Sequence, residues 1–217
     1  FSPKFPTVLE QLKQIHFFDG QNGIFRYEKI SPLADVFYLT TDGGKNLTFL
    51  SDSVFTGYTF TTKPNTRFAD KNTWYVWKRA LRNSDSKIMD VIFVTHDAGK
   101  TWKHIGLYKS RHISDVIIHP TNPDIVYAAA YQRRRQTWSL LSGGPKSGIY
   151  KSIDNGESWN QVTTGLPKGD MGKIGLAVTP AKPELVYATI EADNQEKGFY
   201  RSMDKGGSWE KRSSYTS

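Results

Sequence analysis

Short apolar runs of strand length recur along this chain and are separated by residues that form turns. Four of them read VFYL, VIFV, GIYK and GFYR, and each leads into a polar segment that contains Asp and Gly. Runs of this length, bounded by Gly, Pro and polar residues, are typical of β-strands and indicate an all-β protein. One segment, VLEQLKQI at residues 8–15, has a helical period and predicts a single short helix.

The polar segment after each run is an eight-residue motif, S/T-x-D-x-G-x-x-W. It occurs four times, at residues 40–47, 95–102, 152–159 and 202–209, with Leu47 in place of Trp in the first copy. The central aspartates are 55, 57 and 50 residues apart, and they are Asp42, Asp97, Asp154 and Asp204. Such a regular period indicates a repeat architecture.

The residue types of the motif indicate a structural role. Asp accepts hydrogen bonds from the backbone N–H groups of its own turn, and the Ser or Thr hydroxyl can bond locally across that turn. Gly supplies a backbone conformation that is closed to most other residues. The final aromatic side chain buries a large apolar area against the hairpin. We therefore expect the four aspartates, together with Trp102, Trp159 and Trp209, to stabilise hairpin turns.

Further strands precede each motif. Two segments combine a Pro-rich turn with an alternating strand, at residues 119–130 and 179–190, and the runs just before them supply another strand per unit. In the first two units a variant turn carries Asp19 and Asp70 in matching places. Counting the strand after each motif gives four strands, which is one β-propeller blade.

The predicted fold is thus all-β, a β-propeller arc of about four four-stranded blades. It forms a single domain over residues 1–217 or part of a larger propeller. The expected blades are residues 11–57, 58–110, 111–168 and 169–217.

These motifs resemble the BNR or Asp-box propellers, which include sialidases, sortilin-type receptor domains, xyloglucan-acting glycoside hydrolases and photosystem II assembly factors. Residues 131–159 and the segment after them look like bacterial sortilin-like or glycosyl-hydrolase-like propellers. The first hundred residues are closer to the assembly-factor repeats. The resemblance implies that the Asp box is structural and lies away from the ligand site. It also implies an extracellular or periplasmic setting, although no signal peptide is apparent in this chain.

The composition of the chain limits the kinds of functional site and partner it can have. The chain has no cysteine, which excludes a thiolate nucleophile and a Cys-based zinc site. Its five histidines, His16, His96, His104, His112 and His119, show no metal-ligand spacing, and we expect no metal and no cofactor. The formal charge of +8 could favour an acidic partner, but apart from Arg133–Arg135 the basic residues are scattered and no nucleic-acid-binding motif accompanies them. A solvated surface that keeps the protein soluble is the ordinary interpretation of this charge. No apolar run is long enough to span a membrane.

The most distinctive feature is an insertion at residues 132–148, QRRRQTWSLLSGGPKSG, which lengthens the third blade relative to the fourth. Arg and Trp dominate contact energies at interfaces, and loops of this composition recognise ligands or neighbouring chains. On a strand, alternate arginines face opposite sides, so Arg133 and Arg135 could act together with Trp138 while Arg134 braces the blade. The alternative is that the whole insertion is an inter-blade brace, with Arg stems packed on Trp138.

Two function classes remain open. The first is a non-enzymatic binding or scaffold module that presents loops to a protein or glycan partner. The second is a glycoside-hydrolase-like enzyme acting on a polysaccharide, which requires two carboxylates facing a cleft. Asp115 and Asp170 lie outside the Asp boxes and just before strands, although solvated loop carboxylates are the ordinary interpretation. The three separate arginines and the nucleophilic Tyr of a sialidase have no recognisable match, and the catalytic residues stay unknown.

Overall fold

A computed structural model describes residues 10–29, 34–52, 55, 57–60, 65–106, 112–132, 134–136, 139–141, 143–192 and 195–213. These residues form nineteen β-strands and no helix. The twelve strand pairings whose register is described are all antiparallel. None of the described residues belongs to a helix of the length and hydrophobicity needed to cross a membrane.

The strands make four blades. The first blade holds, in spatial order, β1 (Glu10–Phe17), β2 (Gly23–Lys29), β3 (Ala34–Thr40) and β4 (Thr48–Asp52). The second holds β5 (Tyr58–Phe60) and β6 (Asn65–Phe68), which pair with different parts of β7 (Trp74–Arg82), followed by β8 (Lys87–Thr95) and β9 (Lys103–Ile105).

The third and fourth blades follow the same plan. The third holds β10 (His112–Ile118), β11 (Val126–Tyr131), β14 (Gly148–Ser152) and β15 (Asn160–Val162), and a separate hairpin of β12 (Arg134–Gln136) and β13 (Ser139–Leu141) interrupts it. The fourth holds β16 (Met171–Val178), β17 (Val186–Ala192), β18 (Gly198–Ser202) and β19 (Glu210–Ser213). The four-stranded blade inferred from the sequence is therefore confirmed, and the second blade differs only in that two short strands, β5 and β6, share the edge of β7.

The helix expected at residues 8–15 is wrong, because its described part lies in strand β1. A β-bulge between Leu12 and Gln14 inserts one residue into the strand. The bulge resets the alternation of side chains, so Leu12 and Ile15 lie on the same face although they are three residues apart. In sequence this spacing imitates a helical period.

The chain divides into two compact units, residues 1–88 with 92–104 and residues 89–91 with 105–217. The core of the first unit is aromatic. Phe37 of the first blade lies with its ring centroid 5.3 Å from that of Trp74 and 6.2 Å from that of Trp102. In the second unit the core is mostly aliphatic and lies between the third and fourth blades, where Ile117, Tyr127 and Ile149 join one buried cluster with Leu176 and Ile190.

Candidate functional site

The four Asp-box turns have the same hydrogen-bond network. In each, one carboxylate oxygen accepts the hydroxyl of the Ser or Thr two residues earlier, at 2.7–2.9 Å. The same oxygen accepts the backbone N–H four residues later at 2.8–2.9 Å, and the other oxygen accepts that residue's side chain at 2.6–2.7 Å. The aspartates are Asp42, Asp97, Asp154 and Asp204. The box Gly closes the turn by donating its N–H to the Ser or Thr hydroxyl.

Each box turn is also attached to the other turn at the same end of its blade. The residue after the Asp has a left-handed backbone, with φ between 57° and 73°. Its N–H donates to a carbonyl of the turn between the first two strands of the blade, at 2.9–3.0 Å. The four pairs are Gly43 to Gln21, Ala98 to Asn72, Asn155 to Asp124 and Lys205 to Glu184. In the first two blades this partner turn is itself closed by Asp19 and Asp70, which accept backbone N–H groups.

The hydrogen bonds keep the box carboxylates ionised. The backbone N–H of Asn46 is the main cause that lowers the pKa of Asp42 to about 2. For Asp97 and Asp204 burial is the largest single influence and raises the pKa, but the hydrogen bonds together outweigh it and lower the pKa to about 2. The pKa of Asp154 is also lowered, chiefly by the hydroxyl of Ser158. Carboxylates of this kind carry no proton near neutral pH and cannot act as general acids.

The closing residues of the boxes are buried to different degrees. Trp209 is 5% exposed and belongs to the core of the second unit. Trp102 and Trp159 are only partly buried, and so is Leu47. Trp102 packs against Phe55, with ring centroids 5.1 Å apart.

The opposite end of the blades carries the long connections. In the third and fourth blades the pairings are antiparallel and both short turns lie at the Asp-box end, so the link between the second and third strands of each blade lies at the other end. In the third blade this link runs from Tyr131 to Gly148 and contains the β12–β13 hairpin, whereas in the fourth it runs only from Ala192 to Gly198. Arg135 pairs with Leu140 in that hairpin. Arg133 and Trp138 lie outside the described residues, and only the backbone of Arg135 is described.

A cleft of about 400 Å³ lies at the base of this insertion. One wall is the end of the insertion, with Gly144 and Ser147, and the other is the link between β15 and β16, with Thr163, Lys168 and Asp170. The insertion is held to the fourth blade by an isolated bridge between Gly144 and Met171. A Cβ at Gly143 would come within 2.5 Å of the carbonyl oxygen of Met171, so only Gly fits against that backbone.

The polar groups of the cleft come from both walls. Ser147 accepts the backbone N–H of Gln132 through its hydroxyl, at 2.8 Å, and its carbonyl accepts the side chain of Gln161 at 3.4 Å. Outside the cleft, Glu196 accepts the backbone N–H of Lys168 at 3.5 Å and so helps to position that wall. Residues with hydroxyl, amide, ammonium and carboxylate side chains therefore line the cleft, among them Thr163, Gln161, Lys168 and Asp170.

Of the two carboxylates considered from the sequence, Asp170 lines the cleft and Asp115 is not among its lining residues. Asp115 instead accepts the backbone N–H of Leu176 at 3.2 Å. Sequence reasoning missed Gln161, Thr163 and Lys168. Gln161 lies in strand β15, and Thr163 and Lys168 lie in the link TTGLPKGD that follows this strand. In the sequence, the only indication of their role was that this link must reach the same end of the blade as the insertion. No group of His, Asp and Glu able to hold a metal ion occurs among the described residues.

Comparisons with known proteins agree with this architecture. A family model described as "Sortilin, neurotensin receptor 3" (Sortilin-Vps10) matches residues 90–217. The structure is similar to that of an ancestral GH74 enzyme, with a TM-score of 0.55 and 15% identity over 97% of this chain and 25% of the other. It is also similar to the GH74 xyloglucanase from Xanthomonas campestris, with a TM-score of 0.53 and 13% identity over 88% of this chain and 28% of that one. No curated protein sequence matches the chain.

The chain thus spans about a quarter of the length of these two enzymes. At this identity the similarity establishes the fold. The all-β propeller expected from the repeat is confirmed, as is the resemblance to sortilin-like and glycosyl-hydrolase-like propellers. The family match begins at residue 90, close to the point where the character of the repeats changes in the sequence.

Proposed function

We propose that this chain, which belongs to the Sortilin-Vps10 family, is a non-enzymatic binding module for a protein or glycan partner. Its recognition surface is the end of the blades opposite the Asp boxes. An extracellular or periplasmic setting is part of the proposal, because sortilin-like propellers typically act there.

The observation that carries the proposal is the difference between two equivalent links. The link between β11 and β14 holds a hairpin and borders a cleft of about 400 Å³, whereas the corresponding link between β17 and β18 is a short turn. A blade needs only the short form, so the additional residues serve something other than closing the blade. Long loops on a rigid scaffold are where binding residues concentrate.

The residues proposed to contact the partner are Arg133, Arg135 and Trp138. The alternation expected from the sequence puts Arg133 and Arg135 on one side, where they would present two guanidinium groups together. A planar guanidinium binds a carboxylate or phosphate through two hydrogen bonds, and Trp offers a flat surface on which a sugar or an apolar side chain can pack. This combination suits an acidic protein surface or an anionic glycan. Arg134, which lies between them in the sequence, is assigned a bracing role.

The test uses the double variant Arg133→Ala/Arg135→Ala in binding to an anionic glycan panel and to partners captured from the native source. We expect affinity to fall at least about tenfold, which corresponds to about 1.4 kcal/mol, with an unchanged melting temperature. The matched control is Lys45→Ala/Lys100→Ala, which removes the same charge from exposed positions in two Asp-box turns. If both double variants lose the same affinity, the effect is due to net charge alone. If the arginine variant keeps its affinity but has a lowered melting temperature, the insertion is a structural brace.

The second candidate is a glycoside-hydrolase-like enzyme acting on a polysaccharide. It is favoured by Asp170, which lines the cleft, and by the fold shared with GH74 enzymes. The test is release of reducing ends from xyloglucan and other polysaccharides by the wild-type chain and by Asp170→Asn. Activity that the substitution abolishes would establish the enzyme, and absence of activity with retained glycan binding would favour the binding module.

A further inference from the structure

The walls of the cleft beside the insertion are fixed by backbone contacts. The end of the insertion meets the link before β16 through the bridge between Gly144 and Met171. Gly143 lies against the carbonyl of Met171, where a Cβ has no room. The two ends of the insertion are joined as well, because Gln132 donates its backbone N–H to the hydroxyl of Ser147 at 2.8 Å. A cleft with walls held in this way loses little conformational freedom when a ligand binds.

The cleft belongs to the second compact unit alone. Its described lining residues come from the third and fourth blades and from the link between them, and neither wall comes from the first two blades. Its volume of about 400 Å³ lies within the range of about 300–1,000 Å³ that is typical of small-molecule sites. The cleft is therefore of a size for a small ligand, or for one unit of a longer one.

Two opposite charges line the cleft without neutralising each other. Lys168 and Asp170 are two residues apart in the link before β16, and both are lining residues. Within the described part of the chain, neither the ammonium of Lys168 nor the carboxylate of Asp170 makes a hydrogen bond or an ion pair. Both groups are therefore available to a ligand, and a few polar groups of this kind fix the orientation of a molecule in a small-molecule site.

A ligand of this cleft has to satisfy a donor and an acceptor together. The ammonium of Lys168 only donates hydrogen bonds, and the ionised carboxylate of Asp170 only accepts them. An anion would be repelled by Asp170 and a cation by Lys168, so a ligand with a single charge meets a like charge in either case. A neutral ligand with neighbouring hydroxyl groups avoids this conflict, because each hydroxyl both donates and accepts.

The other lining residues combine polar and apolar surface. Thr163 and Gln161 add a hydroxyl and an amide beside the two charges. Apolar surface comes from Pro145, Pro167 and Met171. A sugar ring has the same mixed character, because it carries hydroxyl groups around its edge and C–H groups on its faces. The lining thus suits a neutral sugar better than a purely polar or a purely apolar molecule.

We propose that this cleft binds a neutral sugar, with Lys168 donating to one hydroxyl of the ring and Asp170 accepting from a neighbouring one. The inference deepens the proposed function by naming a ligand for the cleft. It rests on that function only in placing recognition at the end of the blades opposite the Asp boxes, and it does not depend on the arginines of the insertion. A free sugar and one unit of a longer glycan present the same chemistry to the cleft.

The experiment is isothermal titration calorimetry of the full chain with neutral monosaccharides and oligosaccharides of glucose, galactose, mannose and xylose. Lys168→Met/Asp170→Ala leaves the net charge unchanged and should weaken binding at least about tenfold, because two hydrogen bonds to charged groups are lost. The matched control, Lys182→Met/Glu184→Ala, removes the same two charges from exposed positions in a turn at the Asp-box end and should keep the wild-type affinity. Thr163→Val tests the cleft again if the first variant melts at a lower temperature than the wild type. Equal affinity for a monosaccharide and its oligosaccharide indicates a free sugar, and tighter binding of the oligosaccharide indicates a glycan.

The results also separate this inference from the proposed function. Arg133→Ala/Arg135→Ala should still bind the neutral sugar. A wild type that binds an anionic glycan or a protein partner, but no neutral sugar at millimolar concentration, would overturn the inference and leave the proposed function standing. Neutral sugar binding that survives Lys168→Met/Asp170→Ala, or that the control variant loses equally, would also overturn it. So would binding of free amino acids in place of sugars, because the two charges would then recognise a zwitterion.

Discussion

The first and fourth blades have the same type of Asp-box turn. They differ in the residue that ends the turn and in what covers the sheet. Asp42 and Asp204 make the same hydrogen bonds with their own turns. The first turn ends on the partly buried Leu47, whereas the fourth ends on the buried Trp209. The comparison teaches that eight residues are enough to set the turn, while the burial of a blade depends on its neighbours.

The largest difference should appear when the closing residues are truncated. Trp209→Ala removes a large side chain from the core of the second unit and should lower the free energy of unfolding by about 3–5 kcal/mol. Leu47→Ala should lower it by less than about 2 kcal/mol, because the side chain is already partly exposed. Urea unfolding of both variants measures the two values. Equal losses would contradict the view that the fourth blade depends on its closing residue more than the first does.

Removing the box carboxylate should have a smaller effect. In Asp204→Ala the backbone N–H groups of Gly207 and Ser208 lose their acceptor. The expected loss is about 1–2 kcal/mol, since water can reach this exposed turn and replace part of the interaction. Asp42→Ala should act in the same direction. Asp204→Asn, which keeps one acceptor oxygen, is the matched control and should retain most of the stability in thermal unfolding. An unchanged melting temperature in Asp204→Ala would contradict a turn-locking role.

The smallest effect concerns pH and should be common to both blades. The pKa values of Asp42 and Asp204 are lowered from 3.8 to about 2 in the folded chain. A lowered pKa contributes stability that is fully present above the unfolded value and is lost as the pH falls through the folded value. The melting temperature should therefore decline between about pH 4 and pH 2. The decline should be shallower in Asp42→Asn/Asp204→Asn, and an identical profile would show that these groups do not titrate as described.

Features set by interactions between residues close in sequence were predicted correctly, and features set by other interactions were not. The box turns and the strands on either side of them were predicted because every group that sets them lies within a few residues. The helix at residues 8–15 was wrong because a single bulge after Leu12 changes which residues share a face. Nothing in a one-dimensional pattern distinguishes a bulged strand from a short amphipathic helix.

The candidate site was only partly accessible to the same reasoning. The insertion was identified from its length and its arginines. The sequence did not distinguish Asp170 from Asp115, whereas in the folded chain only Asp170 of these two lines the cleft. The cleft joins Ser147 of the insertion with Lys168 of a different link. Their proximity follows from the bridge between Gly144 and Met171, a contact between two blades that no local motif encodes.

The sequence of this chain is therefore sufficient to predict its local turns, but not the packing between its blades. The repeated Asp, Gly and Ser or Thr specify a turn wherever they occur, since their hydrogen bonds close within the motif. The same apolar pattern, in contrast, is buried at Leu176 and exposed at Ile15. Alternation in a strand shows that a face is apolar, but whether it is covered depends on a second sheet that lies far away in sequence.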